Sequence, residues 1–345
     1  EALLRACWEP AKRRIVVEKA ELEAFARTAG HHGPIEPWDW RHWAEKARQA
    51  KHNFDGAALK PHFELEAMLR AVFDTAGRLF GLSFEERADI PRYHADLRGF
   101  EALDQAGRHV GLLLLDNYAR PGKRSGAWMS SFRVADGLGE GTAPIIINNN
   151  NLARATPTLL SFDEARTLFH EFGHALHQML SDVSYSAVSG TSVARDFVEL
   201  PSQLYEHWLE VPEVLQKFAI HAQTGAAMPD DLLKRMLGAA TFDMGFQTVE
   251  YIASALVDLS FHETAAPQDP MLQQAEVLAD IGMPAAIGMR HATPQFAHVF
   301  AGDGYSSGYY SYMWSEVMDA DAFASFEEAG GPFDLERARA LLDNI

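Results

Sequence analysis

Apolar positions along the chain recur with a helical period over most of its length and with a strand-like pattern in one stretch only. Residues 15–29 and 40–50 read as helices, separated by Gly33, Pro34 and Pro37. Over residues 63–80, Leu65, Met68, Leu69, Val72, Phe73, Ala76, Leu79 and Phe80 make one amphipathic face, which Gly81 closes. Residues 92–149 change character. Short apolar runs at 109–115, 126–134 and 143–148 alternate with turns such as Pro121-Gly122 and Gly137-Leu138-Gly139, which predicts a small antiparallel sheet of three or four strands. The run Asn148 to Asn151 reads as a turn leaving the last strand. Helices resume after Ser161, an N-cap with Glu164 three residues on. They are predicted over 161–181, 195–210, 230–263, 270–286 and 306–325. No internal repeat or low-complexity linker interrupts them. The expected class is mainly α with a small antiparallel β-sheet.

Composition narrows the function. In 345 residues, 48 acidic side chains face 30 basic ones, a net charge of −18, which argues against nucleic acid or an anionic membrane as partner. No apolar run is long enough to span a bilayer. The start of the chain lacks the basic and apolar regions of a signal peptide. The lone Cys7 excludes an internal disulfide and a Cys-rich zinc module, and predicts a reducing, cytoplasmic setting. Fifteen His is a high count, so their spacing matters.

Two of them fall in His170-Glu171-Phe172-Gly173-His174, inside the helix predicted over 161–181. Residues four apart share a helical face, so both imidazoles can reach one metal ion, and two imidazoles plus a carboxylate suit zinc. Glu171 stands beside them as a base rather than a ligand. A bare match can also be two surface histidines beside a solvated glutamate, so a third ligand decides. His177 shares the face, but the helical rise carries it too far along the axis. Leu180 stands where a metzincin would have its third histidine. Glu199 is the better candidate, on a second helix that could cross the first. Asp196 and Glu206 could orient the imidazoles or be solvated helix charges, and Pro201 marks either a kink or a first turn.

A second segment runs from His298 through Gly302-Asp303-Gly304 to Tyr305, Tyr309, Tyr310 and Tyr312, so four of the nine Tyr lie within eight residues. Tyr305, Tyr309 and Tyr312 share a helical face. They read either as an aromatic core stripe or as hydroxyl donors, with His298, to a developing oxyanion. Flexibility between Gly304 and Gly308 would let such donors close over a substrate.

These segments together resemble the thimet oligopeptidase, oligopeptidase A and peptidyl-dipeptidase family of zinc metallopeptidases. The resemblance rests on Phe-His-Glu-Phe-Gly-His-Ala-Leu-His at 169–177, on Ser-Gly-Thr-Ser-Val-Ala-Arg-Asp-Phe-Val-Glu-Leu-Pro-Ser-Gln at 189–203, and on the Gly-Tyr-Ser-Ser-Gly-Tyr-Tyr-Ser-Tyr-Met-Trp run from 304. Weaker echoes at Trp38-Asp39-Trp40, Gly122-Lys123-Arg124 and 144–148 extend it over almost the whole chain. It implies a zincin of the gluzincin type, with one zinc ion held by His170, His174 and Glu199, and with Glu171 as general base. It places His298, Tyr305 and Tyr312 at the substrate or oxyanion and Tyr309 nearby. The Gly302-Asp303-Gly304 loop is similar to that of bacterial peptidyl-dipeptidases, which implies release of C-terminal dipeptides from short peptides. An endo-acting oligopeptidase and a non-catalytic peptide-binding protein are the alternatives. The strand near 145–148 is expected to pair with an extended substrate. Members of that family carry a further N-terminal helical half, so residues 1–345 correspond to the catalytic portion, with the sheet at 92–149 and a helical active-site region at 161–345.

Overall fold

Leu4, Trp8, Ala11, Ile15, Leu22 and Ala26 form one buried stripe, and the first helix, α1 (Ala2–Thr28), follows it from end to end. It therefore starts well before the expected residue 15 and carries Pro10 inside, because the apolar period is already set at Leu4 and Trp8. The computed structural model describes residues 1–53, 55–263 and 269–344. In chain order α1 is followed by α2 (Trp40–His52), α3 (Leu65–Phe80), and strands β1 (Ser83–Glu86), β2 (Arg98–Leu103), β3 (His109–Tyr118), β4 (Trp128–Arg133) and β5 (Ile145–Leu152). Then come α4 (Phe162–Met179), α5 (Arg195–Val198), α6 (Leu200–Glu210), α7 (Pro212–Phe218), α8 (Asp230–Gly238), α9 (Met244–Glu263), α10 (Pro270–Asp280), α11 (Ala297–Phe300), α12 (Ser311–Ala329) and α13 (Leu335–Asn344). Among the described residues no helix is long and apolar enough to cross a membrane.

The described chain divides into two compact units, Glu1–Asp55 with Lys234–Trp314, and Gly56–Leu233 with Ser315–Ile345. In the first, α1 packs along α9. Trp8, Ile15, Leu22, Trp40, Val249 and Ile252 belong to its core. Glu18, buried on α1, accepts the Gly245 and Phe246 N–H groups and so caps the start of α9. The expected single helix over 230–263 is instead α8 and α9, parted by a turn in which Asp243 takes φ +63°.

The second unit holds the sheet, in the order β1-β2-β3-β5-β4. It is mixed rather than antiparallel: β3 and β5 run parallel, with Leu113 opposite Ile146, while the other neighbours are antiparallel. The cause is the Gly- and Pro-bearing connection at 119–127. It carries the chain past one strand position to the edge, and β5 then returns between β3 and β4. Two further corrections follow from β5. It continues through the asparagine run to Leu152 instead of turning. The later side chains find partners there: Asn150 Nδ2 donates to Asn117 Oδ1 at 3.0 Å, and Asn151 Nδ2 donates to the carbonyls of Arg124 and Gly126 at 2.7 Å each, whereas the buried Asn148 amide has none. And because β5 is paired on both sides, the free edge on this side of the sheet is β4, not 145–148.

Helix α4 packs on β5 and β4 and crosses α6. Its start is the expected capping box: Ser161 Oγ accepts from Glu164 N at 3.1 Å, and Glu164 Oε2 accepts from Ser161 N at 2.7 Å. Phe172 is wedged among Phe73, Phe84 and Tyr205, whose ring centroids lie 5.5–5.7 Å away, and Tyr205 ties α6 to α3 through the Val72 carbonyl at 2.7 Å. The helix expected over 195–210 breaks at Glu199, between α5 and α6, and Pro201 lies in the first turn of α6, where its missing N–H costs nothing.

Candidate active site

The break at Glu199 is what the site is built on. Gly173 faces α6 so closely that a Cβ there would lie 2.6 Å from Ser202 Cα and 2.9 Å from the Pro201 carbonyl oxygen. Glu199, fully buried at the start of α6, thus reaches the face of α4 that carries His170 and His174. Its Oε2 lies 3.2 Å from Nε2 of each imidazole. Among the described residues this is the group able to hold a metal ion, with all ligand atoms within 4.8 Å of one another. A tetrahedral zinc with bonds of ~2.0–2.1 Å keeps its ligand atoms about 3.3 Å apart, so the donor set and its spacing fit that ion.

The electrostatics point the same way. Burial would lower the His170 pKa, but Glu199 and Glu206 outweigh it and raise it well above the usual imidazole range. Burial would raise the Glu199 carboxyl, but the two imidazoles hold it well below its usual range. His170 Nδ1 is hydrogen-bonded to Glu206 Oε1 at 2.7 Å, which aims Nε2 at Glu199. Ser202 Oγ donates to Glu199 Oε2 at 3.3 Å and to its carbonyl oxygen at 2.8 Å. The Asp196 carbonyl accepts from Ser315 Oγ at 3.4 Å.

Glu171 is 5% exposed, and its Oε2 has no hydrogen-bond partner. Burial raises its carboxyl pKa, against the imidazoles and the Met129 backbone N–H of β4, which act to lower it. This is the environment of a carboxylate that can take up a proton. His177 is equally buried, with its ring 6.3 Å from that of Phe197, and burial pushes its pKa down to about 4, so it stays neutral. It stands outside the His170, His174, Glu199 group.

The tyrosine segment lies in the other unit. There His298 on α11 hydrogen-bonds Tyr312 OH through Nε2 at 2.8 Å. Its ring lies 4.4 Å from that of Tyr305, and Tyr305 and Tyr312 stack at 5.9 Å with planes 12° apart. Tyr309 is buried, and burial raises its phenol. Residues 306–310 are not helical, since α12 begins at Ser311, so the expected helix over 306–325 starts late and the shared face comes from a folded loop. Nor is the whole Gly304–Gly308 stretch loose. Gly302 and Gly304 have open space where a Cβ would stand, whereas the Ser307 and Tyr309 N–H groups donate to Asp258 at 3.0 Å each. Asp258, Tyr251 and His262, which hold this loop, escaped the sequence reading. The signal was present, since residues 251, 258 and 262 fall seven and four apart on one face of α9.

A family model described as peptidase family M3 matches residues 3–342. Over 330 residues the chain is 41% identical to dipeptidyl carboxypeptidase of Escherichia coli (strain K12), covering 93% of this chain and 48% of that one. It is 38% identical over 341 residues to oligopeptidase A of the same organism, covering 95% and 49%. It is 34% identical over 351 residues to the organellar oligopeptidase A, chloroplastic/mitochondrial, of Arabidopsis thaliana, covering 96% and 43%. The chain thus spans about half the length of the curated relatives it matches.

Proposed function

The chain belongs to peptidase family M3, and from that premise we propose that it hydrolyses peptide bonds in short oligopeptides with one zinc ion held by His170, His174 and Glu199. The observation that carries this reading is the convergence of both Nε2 atoms on one Glu199 oxygen, 3.2 Å from each, beside the buried Glu171. Bound there, zinc supplies a Lewis acid that acidifies water and polarises the scissile carbonyl. Glu171 Oε2 takes the proton of the attacking water and hands it to the leaving amine nitrogen. Its buried setting keeps competing water away from that transfer. His298 and the hydroxyls of Tyr305 and Tyr312 are the donors to the developing oxyanion, and Tyr309 contacts the substrate. The edge strand β4 takes an extended peptide as an added strand, its neighbour β5 being paired on both sides.

Release of C-terminal dipeptides is the mode we favour, supported by the 41% identity to a dipeptidyl carboxypeptidase and by the Gly302-Asp303-Gly304 loop. The 38% identity to oligopeptidase A favours endo-cleavage as the second reading. Residues 1–345 then act as a catalytic portion of the gluzincin type. The single Cys7 and the acidic balance fit a cytoplasmic setting with peptides, not nucleic acid or membranes, as partners. The test is metal content together with mass spectrometry of the products from one peptide as free acid and as C-terminal amide. One zinc per chain, stepwise loss of dipeptides from the free acid only, and loss of turnover but not of zinc in Glu171→Gln are expected. Equal cleavage of the amide replaces the dipeptidase with the endopeptidase. Purified protein that binds peptide with no zinc and no turnover leaves only the peptide-binding reading.

A further inference from the structure

The segment that carries the tyrosines is suspended from one face of α9. Asp258, fully buried, accepts the Ser307 N–H at Oδ1 and the Tyr309 N–H at Oδ2, 3.0 Å each, and Gly308 N–H also favours its ionised form. One turn on, His262 Nδ1 contacts the Asp258 carbonyl oxygen at 2.8 Å, which places the proton on Nδ1 and leaves Nε2 to accept from Ser306 Oγ at 2.6 Å. Two turns back, Tyr251 OH donates to the Tyr309 carbonyl and accepts the Met313 N–H at 3.1 Å. Ser307 takes φ +58°, a left-handed conformation that a non-glycine residue holds only when its surroundings impose it. A buried carboxylate is a costly way to pin a loop, since burial alone raises its pKa and opposes its charge. Ser or Asn could accept one of these N–H groups at lower cost. A carboxylate is required where two or three must be held at once, in a fixed plane. The pinned stretch, 306–313, contains Tyr309 and Tyr312, and the unpinned glycines Gly302 and Gly304 precede Tyr305.

We propose that Asp258, supported by Tyr251 and His262, is a positioning residue that locks the 306–313 backbone so that the Tyr312 hydroxyl is aligned for the transition state. The proposal rests on the reading of Tyr312 as an oxyanion donor. Asp258→Asn keeps one acceptor oxygen and loses the other. It is expected to lower kcat roughly 10-fold to 100-fold, the range for a misplaced or lost oxyanion donor, with KM changed less than about threefold.

The test compares Asp258→Asn, Tyr312→Phe and the double variant of the full chain by kcat and KM on a quenched peptide, with zinc content measured in each. Tyr312→Phe is expected to slow turnover, and the double variant to be no slower than the worse single one, because the two act through one hydroxyl. Zinc content is expected to stay at the level of the unsubstituted protein. Multiplicative loss in the double variant, or an Asp258→Asn kcat equal to that of the unsubstituted protein, overturns the proposal while the reading of Tyr312 stands. Normal turnover in Tyr312→Phe instead overturns that reading and the proposal with it. Should Asp258→Asn not fold, Tyr251→Phe removes one hydroxyl only and is judged by the same cycle.

Discussion

Gly173 and Ser202 approach so closely that a single Cβ on the glycine would stand 2.6 Å from the serine Cα, with backbone rather than a yielding side chain in the way. The glycine between the two histidines therefore sets how near α6 comes to α4, and with it how far Glu199 reaches. Gly173→Ala is expected to push α6 outward. It should lower stability by about 1–3 kcal/mol, the usual cost of overpacking, and weaken zinc binding at least tenfold. Thermal unfolding and competition with a chromophoric chelator measure both. Unchanged zinc affinity in a destabilised variant would break the link between this contact and the site.

Glu206 holds His170 by its Nδ1 at 2.7 Å. Glu206→Ala is expected to cost 10-fold to 100-fold in zinc affinity, on the scale of about 10–100-fold known for partners of metal ligands, and Glu206→Gln less, since an amide oxygen still accepts. Chelation of the unsubstituted protein should lower its unfolding temperature, and zinc at a thousandfold excess over Kd should return roughly 4 kcal/mol. A melting curve indifferent to chelator argues against metal at these residues.

Asp116 and Lys123 are 1% and 4% exposed. Lys123 Nζ donates to the Asp116 carboxylate at 3.0 Å and to the carbonyls of Asp116, Tyr118 and Asn150. Burial would raise the Asp116 carboxyl, but bonds from Arg120, Tyr93 and Lys123 hold it well below the usual range. A carboxyl depressed in the folded state stabilises above its unfolded pKa of ~3.9, and that contribution is lost as pH falls below it. Stability should therefore fall steeply below about pH 4, and Asp116→Asn should flatten that limb. Lys123→Met removes one of three donors to the buried carboxylate, leaving those of Arg120 and Tyr93, and deprives three carbonyls of a donor, so it should cost about 1–3 kcal/mol at neutral pH by chemical denaturation. A loss under 1 kcal/mol, to the order of a surface pair, would contradict this.

Asp243 shows the opposite sign. Burial pushes its carboxyl up to about 7, helped by Glu18 and Glu250 and opposed by the Trp40 Nε1–H bonds at 3.0 and 3.1 Å. The folded state binds the proton more tightly than the unfolded chain, so stability is higher at low pH and declines as pH rises from about 4 to about 7. Asn accepts the same Trp40 bond and tolerates the positive φ. Asp243→Asn should thus raise stability at pH 8 by roughly 1–2 kcal/mol, allowing for solvent screening of a partly exposed group, and remove the decline. A variant less stable at pH 8 than the unsubstituted protein would refute the assignment.

What could be read in the chain was whatever local spacing encodes. The capping box at Ser161, the i, i+4 histidines with Glu171 between them, the tyrosines near His298 and the family all follow from residues near one another in sequence, because helical period and motif are short-range properties. Helix ends and strand partners did not follow. Pro10 sits inside α1, 195–210 divides at Glu199, and the asparagine run belongs to a strand, each because a contact made elsewhere in the fold outweighs the local preference. The parallel pairing of β3 with β5 is of the same kind: it depends on which strand the chain returns to after 119–127, and that choice moved the free edge from β5 to β4. Sequence alone thus determined the chemistry available to this protein, two imidazoles, carboxylates and phenols in recognisable order. Glu199 was already named as the third ligand by the resemblance. Only the tertiary structure decided how closely it meets the imidazoles, which carboxylate aims His170, and which one pins the tyrosine loop, since those are distances between segments tens of residues apart that packing, not spacing, sets.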